Sequence, residues 1–160
     1  MKPRLIATAI GGAALLLGLA ACSSLAPVIQ NPEYSVRSIR PNVNVAIPLS
    51  ASSIDFNIDL AVQNPNSIGL NLDRIDFDLL VNDSHVATGI ANQGIRIPAN
   101  GTGDVPLRTR VAYSDVQSIF RQLSTWVQGG NARYELRGNA YYNTPVGQLA
   151  FPFTVSRIGG

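Results

Sequence analysis

Residues 53–81 read "SIDFNIDLAVQNPNSIGLNLDRIDFDLLV", two apolar–polar alternations joined by an Asn-Pro-Asn corner. In the first, Ile54, Phe56, Ile58, Leu60 and Val62 alternate with Asp55, Asn57, Asp59, Ala61 and Gln63. Successive side chains of a strand point to opposite faces, so a period of two marks a strand with one buried face. The second alternation starts at Leu70 and Leu72, slips by one residue at Asp73-Arg74, and resumes through Ile75, Phe77, Leu79 and Val81. An uncorrected slip would turn every later side chain to the wrong face. A bulge near residues 73–74 repairs it.

The same reading extends along the chain. "VNDSHV" at 81–86 is expected to be a hairpin turn, because Asn82 and Asp83 tolerate positive φ. "VATGIA" and "GIRIPA" follow as strands, then a turn at Asn100-Gly101, then "DVPLRTRVAY", in which Val105, Leu107, Thr109 and Val111 alternate with Arg108 and Arg110. Strands near 131–142 and 146–157 complete the pattern. Pro106 and Pro152 fit edge strands or bulges, since proline cannot donate to a ladder. One segment breaks the β pattern. In "YSDVQSIFRQLSTWVQGG", Val116, Ile119, Phe120, Leu123, Trp126 and Val127 recur at helical spacing. Ser114 and Gln117 have the spacing of a capping box, and Gly129-Gly130 supplies a stop. The expectation is a mainly β sandwich of about seven strands with one amphipathic helix near 114–128.

The N-terminal end reads differently. Lys2 and Arg4 precede a short apolar run from Leu5 to Leu19, followed by Ala20, Ala21 and the chain's one cysteine, Cys22. That order is the layout of a secretory signal, and the run is too short for a comfortable membrane span of roughly 20 residues. Leu19-Ala20-Ala21-Cys22 resembles the lipobox of bacterial lipoproteins. The resemblance implies a signal over residues 1–21, cleavage before Cys22 and acylation of its sulfur, so that the acylated Cys22 holds the protein to a membrane. Ser23 at the next position implies the outer membrane, facing the periplasm, with the inner membrane as the other address. Residues 22–33, with two prolines and no clear period, read as a tether reaching at most about 40 Å. Residues 34–160 are left as one domain with a single core.

Losing residues 1–21 removes Lys2 and Arg4 from the twelve basic residues, leaving ten arginines against ten acidic residues. The mature side-chain charge is then zero, with no lysine and no basic cluster beyond a close pair. Nucleic-acid binding lacks its electrostatic footprint, as does a polybasic membrane patch. The catalytic inventory is thin. His85 is the single histidine and sits in a turn, no serine lies in a nucleophile elbow, and neither a phosphate loop nor a dinucleotide fingerprint is present. No metal site and no cofactor is expected. Asp55, Asp59, Asp76 and Asp78 were they on neighbouring strands would offer oxygen ligands to Ca²⁺. Outward positions of a half-buried sheet are polar in any case, and Arg108 and Arg110 can face them as cross-strand partners. Tyr134, Tyr141, Tyr142, Phe151 and Phe153 read as core and edge packing before they read as a ligand cavity.

The segment from Leu60 to Val111 carries a family resemblance. Its parts are Asn64-Pro65-Asn66 at the end of a strand, the long strand Leu72 to Asn82, Thr88-Gly89, Ile97-Pro98-Ala99, and a return strand from Gly101 to Val111. In this order and spacing the chain resembles the type 2 late embryogenesis abundant family, also called the WHy (water stress and hypersensitive response) domain, over residues 43–157. The resemblance implies an immunoglobulin- or fibronectin-III-like sandwich and a non-enzymatic role in desiccation, freezing or other water stress. Asn64, Pro65 and Asn66 are then structural motif residues. Pro65, with φ fixed, ends ladder bonding, and the flanking asparagines bond nearby backbone.

Three roles follow. The first is a membrane-tethered protective protein acting on non-specific protein clients or the bilayer. The second is lipid binding or transfer in a groove lined by Phe56, Phe77, Leu79 and Trp126. The third is an envelope adaptor that pairs an edge strand with a protein partner.

Overall fold

The computed structural model describes residues 29–159. Seven strands and one helix follow in chain order: β1 Glu33–Asn44, β2 Ser53–Gln63, β3 Leu70–Val81, β4 Ser84–Ile97, β5 Thr102–Ala112, α1 Phe120–Gln128, β6 Arg133–Thr144 and β7 Gly147–Ile158. They form two antiparallel sheets, β1-β2-β5 and β4-β3-β6-β7. Three strands packed on four is the sandwich expected, with the core between the inner faces. The two alternations of residues 53–81 are interior strands of the two sheets. Ile54, Phe56, Ile58, Leu60 and Val62 of β2 are all buried, as are Leu70, Leu72, Ile75, Phe77 and Leu79 of β3.

The repairs inferred from sequence occur where they were needed. In β3 the register shifts between Leu72 and Arg74 against both neighbours, which restores Ile75, Phe77 and Leu79 to the core. Asn82 and Asp83, at φ 45° and 65°, form the two-residue turn between β3 and β4. Pro41, Pro106 and Pro152 lie on β1, β5 and β7, each an edge of its sheet.

Three elements differ from expectation. "VATGIA" and "GIRIPA" are one strand, β4, interrupted where Ile95 pairs with Leu72 and Asn92 with Arg74. Gly94, at φ +58°, takes up the excess there. The helix begins at Phe120, six residues after Ser114. Tyr113–Asp115 is instead a 3-10 turn, in which the Asp115 carboxylate accepts from the Ala112 amide (3.3 Å) and the Ser114 hydroxyl (3.1 Å). The hydroxyl is thus taken by its neighbour and caps nothing, and Val116 drops into the core before the helix starts. Phe120, Leu123 and Val127 form the helix's buried stripe, and Gly130 at φ +67° follows its end. Finally, β1 runs 12 residues from Glu33. The stretch read as a tether is attached to the domain from Ile29 onward: Ile29 packs on the core, and Gln30 is bonded to Asn66.

Glycines at β4 and β6 let the sheet close around Phe77. Both Gly89 and Gly138 pair with Phe77. A Cβ at Gly89 would fall 2.3 Å from the Phe77 ring, and one at Gly138 would fall 2.0 Å from the Asp76 carbonyl oxygen.

Candidate functional site

Where β2 ends, the chain must leave one sheet and enter the other. Asn64 does this from full burial, and Asn66 from 8% exposure. The Asn64 amide nitrogen Nδ2 donates to the carbonyls of Ile68 (2.8 Å) and Pro98 (2.9 Å). Its Oδ1 accepts from the Asn66 backbone amide (3.0 Å) and from Asn66 Nδ2 (2.8 Å). Both donors and both lone pairs of one side chain are therefore used, the full capacity of an asparagine. The backbone joins in: the Asn64 amide donates to the Gly101 carbonyl and the Asn100 amide to the Asn66 carbonyl. Asn66 reaches outward, accepting from the Gln30 amide (2.7 Å) and donating to the Gln30 carbonyl (3.0 Å). The corner ties together the 64–68 turn, the β4–β5 turn and the chain's entry into β1. Pro65 sits between the two asparagines on the surface side, half-exposed and without an amide to satisfy.

The outer faces carry most of the remaining charged groups, and many of these are paired. On β1-β2-β5, Arg110 bonds Asp55 through Nε (2.5 Å) and Nη2 (3.1 Å), with Asn44 donating to the same carboxylate. Asp59 accepts from the Ser38 hydroxyl and from Arg40, both at 2.6 Å, and Arg37 meets Asp104 at 3.1 Å. On the other sheet Arg74 pairs with Asp76, Arg137 with Glu135, and His85 with Asp78, while Arg133 pairs with Asp83 at the far end. Six of the ten carboxylates therefore stand in ion pairs with arginines, and Asp78 touches His85. The hydrogen bond from Arg110 holds the Asp55 carboxyl below its usual range, and that from the Ser38 hydroxyl does so for Asp59, helped by Arg40. Asp78 is lowered chiefly by the Thr88 hydroxyl, then by His85. Arg108, exposed opposite Asn57, stands between two shallow depressions without an ion pair among the described residues.

This arrangement separates what a calcium site would need together. Asp55 and Asp59 lie on β2 in one sheet, and Asp76 and Asp78 on β3 in the other. Among the described residues no three His, Cys, Asp or Glu side chains group as metal ligands. His85, expected in the turn, is the second residue of strand β4, exposed and touching Asp78 (3.3 Å) and Thr88 (3.2 Å). The aromatic set is packing: Tyr134, Tyr142 and Phe153 are buried, Tyr34 stacks on Phe153, and Tyr34 and Tyr142 share a 3.0 Å hydroxyl bond. Burial pushes both phenols up, Tyr142 to about 12. Tyr141 lies outside this core, beneath the Arg74 guanidinium. Of the residues expected to line a lipid groove, Phe56, Phe77 and Leu79 are at most 2% exposed and belong to the core, and Trp126 is partly buried and packs against it. Cys22 lies outside the described residues.

Residues 59–157, from the middle of β2 to the end of β7, match the family model described as "Late embryogenesis abundant protein" (type 2). The chain belongs to the type 2 late embryogenesis abundant family. The match begins at Asp59, later than the resemblance over 43–157, and so leaves β1 and the first half of β2 outside it. Among solved structures, AT1g01470 of Arabidopsis thaliana aligns with a TM-score of 0.62 at 21% identity, covering 81% of each chain. The late embryogenesis abundant protein At2g46140.1 aligns at 0.54 and 19%, covering 86% of this chain and 74% of its own. At these identities the likeness is one of fold. No curated protein matches the chain by sequence. In type 2 late embryogenesis terms, the Asn-Pro-Asn motif is the buried corner just described, and the Gly of Thr88-Gly89 is the residue that admits the Phe77 ring.

Residues that the sequence does not point to are those supplied by β1 and by the chain just before it. Ser38, Arg40 and Asn44 meet the β2 aspartates, and Gln30 meets Asn66. Tyr34, which bonds Tyr142, is another. No signal in the sequence assigns these partners, because β1 lacks a continuous alternation.

Proposed function

We propose that this late embryogenesis abundant protein is a non-enzymatic, lipid-anchored protective protein of the bacterial envelope, acting on proteins or bilayers that lose water. The observation that carries the reading is the outer surface. Arg40, Arg110 and Arg37 answer Asp59, Asp55 and Asp104 on one sheet, and Arg74 and Arg137 answer Asp76 and Glu135 on the other. Such a face is densely polar yet locally neutral. It offers hydrogen-bond donors and acceptors to a drying surface, without the one-sided field that recruits a specific polyion. Exposed pairs of this kind add little stability, so their density is better explained by hydration than by folding. Family membership supports the stress-related part of the reading.

The anchor rests on Cys22 and the lipobox, with acyl chains each adding about 0.8 kcal/mol of membrane affinity per buried CH₂. The chain enters the domain beside the Asn-Pro-Asn corner at Gln30, a short reach from Cys22. With Ser23 following Cys22, the address we propose is the outer membrane, facing the periplasm.

The test is a deletion strain complemented with the wild-type gene or with Cys22→Ser. Wild type should incorporate labelled palmitate, fractionate with the outer membrane and restore survival after drying, and Cys22→Ser should lose the label and the fractionation. Deletion without loss of survival under drying or freezing refutes the protective role, and unlabelled wild-type protein refutes the anchor.

A further inference from the structure

Residues 45–52, "VAIPLSAS", contain no charged side chain and connect β1 to β2. The loop stands at the end of the sandwich opposite the Asn-Pro-Asn corner, because Asn44 pairs with Ser53 at one end of these strands and Glu33 with Gln63 at the other. Twelve residues of β1 separate the two ends by about 40 Å. At this tip Ile47 is fully exposed, Val45 is 68% and Leu49 43% exposed. Ile158, 79% exposed, ends β7 at the same end of the molecule. Four of the six large hydrophobic side chains exposed among the described residues are thus gathered at one end.

Three amides of the loop find partners within it. The amides of Ala51 and Ser52 donate to the carbonyls of Pro48 and Leu49, both at 3.0 Å, and the Ala46 amide donates to the Ser52 hydroxyl at 2.9 Å. Tyr113 donates its amide to the Ser52 carbonyl, and Pro48 has no amide to satisfy. These bonds satisfy part of the loop's backbone internally, which lowers the cost of leaving water. The charges nearby are spent as well: Asp83 is paired with Arg133 and Asp115 accepts from Ala112. The exception is Arg121 of α1, which lines the same depression as Val45 and Leu49 and makes no ion pair among the described residues. An apolar projection with one free cation at its shoulder matches the layers of a bilayer, acyl chains beneath anionic phosphates.

We propose that the 45–49 loop is a membrane-inserting tip: Val45, Ile47 and Leu49 enter the acyl boundary of a lipid bilayer, and Arg121 meets a lipid phosphate. It works from the end of the domain opposite the chain's entry, independently of any lipid on Cys22. The test uses full-length protein carrying Trp126→Phe, with a new tryptophan introduced by Ile47→Trp or, as a mid-sheet control at another exposed apolar position, by Ile90→Trp. Each is reconstituted into vesicles of phosphatidylethanolamine and phosphatidylglycerol with bromine-labelled acyl chains. The tryptophan at the tip should shift to the blue and lose most of its emission, from a depth of about 5–10 Å. The mid-sheet tryptophan should do neither, and adding Leu49→Asp to the tip variant should restore emission. If circular dichroism shows that Trp126→Phe does not fold, both variants are made with Trp126 retained and the difference between them is read. Quenching at the tip no greater than at the mid-sheet position overturns the proposal, including the case in which the tip is shielded by a protein or a second copy of the chain.

Discussion

Asn64→Ala removes a fully buried side chain that makes four hydrogen bonds, and its cost can be worked out bond by bond. The carbonyls of Ile68 and Pro98 lose their donor, and the Asn66 amide and Nδ2 lose their acceptor. At a net 0.5–1.5 kcal/mol per bond, four bonds give about 2–6 kcal/mol, with the centre near 4. That is a large share of the 5–15 kcal/mol typical of a domain. Equilibrium urea unfolding, followed by far-UV circular dichroism, reads it directly. With a slope of about 1–3 kcal/mol per molar urea, the midpoint should fall by about 2 M. The control is Asn57→Ala on the exposed face of β2, expected to be within about 0.5 kcal/mol of wild type. A loss at Asn64 below about 1 kcal/mol, against the four-bond sum, would refute the claim that this corner holds the sandwich together. Asn66→Ala should cost less than Asn64→Ala, because two of its partners belong to Gln30 at the entering chain and not to the corner itself.

Pro65→Ala, between the two asparagines, should cost under about 1 kcal/mol by the same unfolding assay, since the ring contributes stiffness and no bond. Gly138→Ala should be among the most damaging single changes, lowering the thermal midpoint by more than any surface variant, because its Cβ would meet Asp76 backbone at 2.0 Å. Two pH limits follow from the shifted groups. Asp55, Asp59 and Asp78 have lowered folded values, so their contribution is complete above the unfolded carboxylate value near 3.9 and disappears as pH falls through the folded values. Tyr34 and Tyr142 have raised values, so stability should be level up to about pH 10 and fall between there and about 12. Thermal melts across pH check both limits, and an alkaline loss that Tyr34→Phe with Tyr142→Phe fails to remove would contradict the second.

Much of the architecture could be read from β2 and β3, whose inward and outward positions alternate without ambiguity once the bulge at Asp73 is allowed. The edge prolines and the Asn82-Asp83 turn were legible for local reasons, each residue type imposing its own backbone geometry. β1 was not. Tyr34 and Val36 share one parity, and Ile39, Pro41 and Val43 the other, because the register slips between Val36 and Ser38. A strand that changes face midway shows no period. The helix start was misplaced because Asp115 competes for Ser114, a contest between neighbours that spacing rules do not weigh. The aspartates illustrate a further limit. Their outward direction was legible, but which sheet each strand joins is decided by the Asn-Pro-Asn corner, and that decision divides the four carboxylates into two pairs on separate faces. Arg110 opposite Asp55 follows from strand pairing, whereas Arg40 comes from β1, which carries no continuous period.

The most direct test of the account is protection itself. A labile enzyme is freeze-dried with the full-length protein, with a variant in which Arg40, Arg108 and Arg110 are changed to alanine, and with an equal mass of an unrelated folded β-sandwich. The account predicts excess recovery of activity with the wild type over the unrelated sandwich, and a reduced excess with the variant, provided the variant's circular dichroism is unchanged. Recovery equal to that with the unrelated sandwich would contradict a protective surface.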